Sequence, residues 1–230
     1  MSRRSTPLLV LGSLLLCAGA IRADPPPPPQ ALSHAQSLTI DNFTAAPQEL
    51  AVLSGNKSSD RTARACDRKS SPSSQSPLGC RRLVFLHNNV EAASSGFAAP
   101  GTLKIGNGRL LISSAIKNFA RLEVFYADDL DLDLSSLRRF RIHFDSSDVG
   151  LNINMQMIAR NNPSPALGGL NIDGVATGTP FVVDIPFTSF GVNAGELPDL
   201  RHIRQIRLFV QSASAIGAND YAMTLIEAVP

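Results

Sequence analysis

The chain has 230 residues, with 21 Lys and Arg against 19 Asp and Glu, no Trp, two Tyr and eleven Phe. So balanced a charge excludes the dense basic surface that nucleic acid or an anionic membrane requires, so no nucleic-acid partner is expected.

Arg3 and Arg4 precede an apolar stretch from Leu8 to Ala20, too short to span a bilayer and about as long as a signal-peptide core. Residues 1–23 are therefore expected to be a cleaved signal peptide. Two starts of the mature chain stay open: Ile21, after Ala18 and Ala20, or Asp24, after Ala23. A lipoprotein signal is opposed by Leu14, Leu15 and Leu16 before Cys17, where small residues belong; a twin-arginine signal is opposed by Ser5, Thr6 and Pro7 after the arginine pair. No other apolar run approaches transmembrane length, so the mature form is expected to lack a membrane span and to be secreted or periplasmic. Removing Arg3, Arg4 and Arg22 from the 21 basic residues leaves 18 against 19 acidic ones, a net charge of −1.

Residues 24–35 read as a proline-rich linker. Pro25 to Pro29 cannot enter a sheet interior and predict a polyproline II rod of roughly 15 Å. The remainder, 36–230, reads as one β-sandwich domain. Without Cys17, only Cys66 and Cys80 remain in a compartment that permits oxidation, which predicts a disulfide closing a Ser-, Arg- and Pro-rich loop and contributing ~3 kcal/mol. The segment Asn56 to Gly79 has almost no large apolar residues and is expected to be a loop.

Alternation of apolar and polar residues at period two predicts strands over Leu38–Phe43, Glu49–Leu53, Leu83–His87, Thr102–Ile105 and Arg109–Ser113. Gly106-Asn107-Gly108 joins the last two as a tight turn. Further strands follow at Arg121–Tyr126, Arg139–Phe144, Leu151–Ala159, Phe181–Ile185, Gln205–Gln211 and Tyr221–Ile226. Gly168-Gly169 reads as a turn, and Leu200, Ile203 and Ile206 suggest a short helical turn near 197–204. About ten strands without intervening helices predict an all-β fold, a two-sheet antiparallel β-sandwich.

Several segments resemble the galactose-binding-like jelly rolls, a superfamily that includes carbohydrate-binding modules and the intermediate-associated protein family of respiratory complex I. Ile40-Asp41-Asn42-Phe43 resembles the opening strand of that group. Val182-Val183-Asp184-Ile185-Pro186-Phe187-Thr188-Ser189-Phe190 is similar to its strand, Pro-Phe and Ser-Phe segment; Leu200, Ile203, Ile206 and Leu208 match the turn and strand that follow, and Tyr221 to Ile226 the last strand. The resemblance spans most of 36–230 and implies a jelly roll with a glycan or another envelope component as partner. The chain departs from sugar-binding members in its aromatic residues: its only tyrosines are Tyr126 and Tyr221. Phe125 and Phe209 are then the platforms left for stacking a sugar.

The polar feature with the most order is Arg139, Arg141 and His143 alternating with Phe140, Ile142 and Phe144, followed after Asp145–Gly150 by Asn152, Asn154 and Gln156 alternating with Leu151, Ile153 and Met155. Read as a hairpin, these strands put Arg139 opposite Gln156, Arg141 opposite Asn154 and His143 opposite Asn152, with all six polar residues on one face. Planar amides beside guanidinium groups suit hydroxyl or carboxylate ligands. Asp128, Asp129, Asp131 and Asp133 have a spacing that allows a structural calcium, the one cofactor the chain suggests, but Leu130, Leu132 and Leu134 interleave with them as on a charged strand face. No catalytic constellation stands out. His34, His87, His143 and His202 are scattered, no Ser sits in a Gly-x-Ser-x-Gly elbow, and nothing pairs Glu123 with Asp184 as acid and base. The expectation is an exported, non-catalytic binding or interaction module; the alternatives are a polysaccharide-active hydrolase or lyase on the same fold and a purely structural envelope protein.

Overall fold

Apolar residues at every second position oblige each strand to bury one face, and the chain does so in two stacked antiparallel sheets. The computed structural model describes residues 36–52, 58–64, 77–88, 101–114, 120–126, 130–162, 164–173, 179–191, 198–213 and 220–230, all within the unit Leu32–Pro230. The expected signal peptide and proline-rich linker lie outside the described residues. In chain order the strands are β1 (Leu38–Asp41), β2 (Gln48–Val52), β3 (Ser58–Arg64), β4 (Arg81–Asn88), β5 (Gly101–Gly106) and β6 (Arg109–Ser114). Then come β7 (Ala120–Tyr126), β8 (Arg139–Ser147), β9 (Leu151–Ala159), β10 (Ala166–Ile172), β11 (Phe181–Pro186), β12 (Ile203–Ser212) and β13 (Tyr221–Val229). Among the described residues no helix is long and apolar enough to cross a membrane.

One sheet runs β11-β8-β13-β6-β5-β2, with β1 also paired to β13; the other runs β10-β9-β12-β7-β4-β3. The architecture is the expected jelly-roll sandwich. Between the sheets lies one apolar core, in which Phe140, Ile142 and Phe144 of β8 and Leu103 and Leu110 of β5 and β6 meet Ile153 and Met155 of β9, Leu208 of β12 and Val124 of β7. Sliding β8 by one residue would exchange its phenylalanines for its arginines, at roughly 1.5–3 kcal/mol for each large side chain exposed, so the alternation sets which face looks inward.

The structure corrects the expected hairpin. β8 pairs with β11 and β13, and β9 pairs with β10 and β12, so the two strands belong to opposite sheets and face each other across the core. β8 also runs on to Ser147, leaving a connection of Asp148, Val149 and Gly150. Its backbone is tied to both neighbouring chain ends: Asp148 N donates to Asp220 O (3.1 Å), Asp220 N donates to Asp148 Oδ1 (2.9 Å), and Ala213 N donates to Gly150 O (2.8 Å). The buried Ser147 hydroxyl donates to Val149 O at 2.7 Å. These bonds pair backbone groups of the connection as the chain passes from one sheet to the other.

Two strands were not expected. β3 crosses the segment 56–79 read as a loop, pairing from Ser58 opposite His87 to Arg64 opposite Arg81. Its sequence, Ser58-Ser59-Asp60-Arg61-Thr62-Ala63-Arg64, has no large apolar residue, which suits a strand at the edge of its sheet. Gly168 and Gly169 lie inside β10 rather than at a turn. A Cβ on Gly168 would come within 2.6 Å of the Phe190 ring, and one on Gly169 within 2.4 Å of Asn154 Oδ1 and 2.6 Å of Ile153 O, so both glycines answer close packing, not chain reversal. The turn near 197–204 is present at Leu200 and Arg201, held by Asp199 Oδ1 accepting from Arg201 N (3.0 Å), and β12 begins at once at Ile203. A single 3-10 turn, Phe187–Ser189, follows Pro186 in the Pro-Phe segment.

Candidate binding site

Because β8 and β9 lie in different sheets, the six expected ligand residues divide into two threes on opposite outer faces. On the first face Arg139, Arg141 and His143 each stand beside an acid of a neighbouring strand. The Arg141 guanidinium donates to both oxygens of Asp184 on β11 (Nε to Oδ1 2.8 Å, Nη2 to Oδ2 3.0 Å), Arg139 Nε stands 3.2 Å from Asp184 Oδ2, and His143 Nε2 lies 3.0 Å from Glu227 Oε1 on β13. The register causes this, since Arg141 is opposite Asp184 on one side and Glu227 on the other. The Arg141 hydrogen bonds hold the Asp184 carboxyl below the ordinary aspartate range. This face is a ladder of cross-strand ion pairs.

The second face is different. Strand pairing sets its outward side chains in rows across the sheet. One row is Gly169 of β10, Asn154 of β9, Phe209 of β12, Glu123 of β7 and Phe85 of β4. The row beside it is Leu167, Gln156, Arg207, Phe125 and Leu83; the row on the other side is Asn171, Asn152, Gln211, Arg121 and His87. Amides occupy the β10–β9 half and aromatic rings the β7–β4 half, with Phe209 between them.

A depression of about 340 Å³ opens on the amide half. Among the described residues its walls are Asn152, Asn154 and Gln156 of β9 and Gln211 of β12, together with Phe209, Leu167 and Arg121. Gly169 leaves the space in which the Asn154 amide lies. Gln156 Oε1 is buried with no hydrogen-bond partner among the described residues. Phe209 is half-buried and meets Phe125 edge to face at 6.2 Å, and Phe125 meets Phe85 in the same way at 5.4 Å. Both expected platforms therefore share the outer side of this sheet rather than the core. The Arg207 guanidinium lies 4.8 Å above the Phe125 ring. Arg121 Nη2 donates to Glu123 Oε1, whose other neighbour is His87 Nε2 at 3.4 Å.

Arg121, Leu167, Gln211 and Phe85 were not singled out in the sequence. Each sits at an outward position of its strand, but only the pairing of β7, β10, β12 and β4 with β9 and one another assembles them.

The remaining candidates stay apart. Asp128 and Asp129 lie outside the described residues, as do His34 and Cys66. Asp131 is exposed beside His202 Nδ1 (3.5 Å) and Arg160 (3.9 Å), and Asp133 Oδ1 accepts from Ser135 N (2.9 Å); hydrogen bonding from the Ser135 side chain, and then from its backbone, holds the Asp133 carboxyl below the ordinary aspartate range. This segment is not a regular strand; Leu132 forms a single bridge to Ile203, and Leu130 and Leu134 are buried. Among the described residues no three acidic, histidine or cysteine side chains are placed to hold a metal. Glu123 and Asp184 are on opposite faces, each already in an ion pair.

No protein-family model and no curated protein matches the chain. Among solved structures, the family 11 carbohydrate-binding module of the cellulosomal cellulase Lic26A-Cel5E of Clostridium thermocellum is 13% identical, with a TM-score of 0.44 over 86% of this chain and 96% of that one. The same organism's family 11 module in complex with a β-1,3-1,4-mixed-linked tetrasaccharide is 12% identical, with a TM-score of 0.36 over 81% and 97%. An agarase, AgWH50C, is 12% identical, with a TM-score of 0.39 over 74% of this chain and 24% of that one. At these identities no side chain of the groove is carried over from those proteins.

Proposed function

We propose that this protein is an exported, non-catalytic carbohydrate-binding module whose ligand lies in the groove on the outer face of the β10-β9-β12-β7-β4-β3 sheet. The observation that carries this reading is the half-buried Phe209 ring bordered by the amides of Asn152, Asn154, Gln156 and Gln211. A ring offers an apolar platform to the C–H face of a sugar, while each planar amide offers both donors and an acceptor to its hydroxyls. Among envelope components, a glycan fits such a lining best. A hydrolase would require two convergent carboxylates; the described walls hold none, and Glu123 behind them is tied to Arg121.

Export rests on the Leu8–Ala20 core and brings with it a Cys66–Cys80 bridge. The chain leaves β3 two residues before Cys66 and enters β4 one residue after Cys80, so the bridge would close the connection of two paired strands. Titration calorimetry of the mature protein against a panel of plant, algal and bacterial polysaccharides tests the reading. Phe209→Ala and Asn154→Ala should each weaken the observed binding about tenfold or more while leaving the melting temperature nearly unchanged. Absence of binding across the panel, or wild-type affinity in both variants, would count against it.

A further inference from the structure

Among the described residues that line the groove, Arg121 is the one that carries a charge. Deepening the carbohydrate reading and resting on it, we infer that the ligand is an acidic saccharide whose carboxylate or sulfate is taken by Arg121. The Arg121 side chain is 48% exposed, and only its Nη2 has a partner among the described residues, the carboxylate of Glu123. Glu123 is 11% exposed and is shared with His87 Nε2 at 3.4 Å. The acid is thus held beneath the sheet surface beside Arg121 Nη2 and His87 Nε2, while Arg121 itself lines the groove with Nε and Nη1 unpaired among the described residues.

The register places Asn152, Gln211 and Arg121 side by side on β9, β12 and β7. That row sets two planar amides beside the positive charge of Arg121. A guanidinium fork binds a carboxylate or sulfate through two parallel hydrogen bonds, a geometry an ammonium does not reproduce. A neutral sugar is held by the amides, which offer both donors and acceptors, and gives Arg121 no anion to bind.

The test is calorimetry of the mature protein with polyuronates and sulfated polysaccharides, each paired with its carboxyl-reduced or desulfated counterpart, at low and high salt. The expected result is that an acidic member binds about tenfold or more tightly than its neutral counterpart, with an advantage that shrinks as salt rises. Arg121→Gln should remove that advantage, Glu123→Gln should enlarge it, and Phe209→Ala should weaken acidic and neutral members alike. The uronate and sulfate arms identify which anion is read. Equal affinity for acidic and neutral partners, or an Arg121→Gln effect of the same size on both, overturns the charge assignment and leaves the carbohydrate reading in place. No binding to any member overturns both.

Discussion

Arg82 Nη1 donates to Asp41 Oδ2 at 2.6 Å, and both side chains are wholly out of water. The pair joins the two sheets, since Asp41 ends β1 and Arg82 points inward from β4. The guanidinium is otherwise satisfied by Gln48 Oε1 (2.9 Å) and the carbonyls of Ala45 (3.1 Å) and Ala46 (2.6 Å), and Asp41 Oδ1 accepts from Phe43 N (2.9 Å). Burial raises the Asp41 pKa against the pull of Arg82, and burial followed by the Asp41 charge pushes the Tyr126 phenol well above its usual range. Arg82→Met should therefore cost about 3–5 kcal/mol in urea unfolding, because Asp41 is left charged and uncompensated, whereas removing both charges with apolar residues of similar volume should recover much of the loss. A cost under 1 kcal/mol for the single variant would contradict the assigned role.

The two outer faces predict a contrast that the hairpin reading did not. Asn154→Ala should weaken glycan binding, while Arg141→Ala, on the opposite sheet, should leave it at the wild-type value. Equal losses in both variants would mean that the ligand does not sit in the groove.

Asp184 makes the ion-pair ladder sensitive to acid. Its folded-state pKa lies below the ordinary value of 3.8 because Arg141 hydrogen-bonds its charged form. The sign follows: the stabilisation is fully present above the unfolded-state pKa and is lost as pH falls through the depressed folded-state value. Unfolding free energies measured from pH 6 down to about pH 2 should fall less steeply in Asp184→Asn than in the wild type. Identical slopes would show that the pair adds nothing.

Gly168→Ala and Gly169→Ala should both destabilise, by about 1–3 kcal/mol, but for different reasons. The first pushes a methyl into the Phe190 ring in the core, and the second drives one against Ile153 O and Asn154 Oδ1. Gly169→Ala alone should also weaken glycan binding, since it displaces the Asn154 amide. A Gly168→Ala variant that bound more weakly than Gly169→Ala would reverse this assignment.

Oxidised mature protein should begin at Ile21 or Asp24 and contain no free thiol, as read by mass spectrometry of the protein recovered without reductant. Cys80→Ser should then lower stability by about 2–4 kcal/mol.

Period-two alternation sufficed for every strand with a strong apolar rhythm, and it placed Phe140, Ile142 and Phe144 inward and Arg139, Arg141 and His143 outward before any coordinates. It failed where side chains do not mark the strand: β3, which sits at an edge with one paired side, and β10, where Gly168 and Gly169 serve close approaches from Phe190 and Asn154. It was also silent on partnership. An alternating strand buries its apolar face equally well beside its neighbour in one sheet or across the core from it, so β8 and β9 read the same either way. Hydrogen bonds from β11, β13, β10 and β12, and the ties of Asp148 to Asp220 and of Gly150 to Ala213, decide for the crossing. The sequence alone therefore determined which side of each regular strand meets water. Which outward residues become neighbours, and so that Asn154 meets Phe209 and Gly169 while Arg141 meets Asp184, was decided by long-range strand pairing.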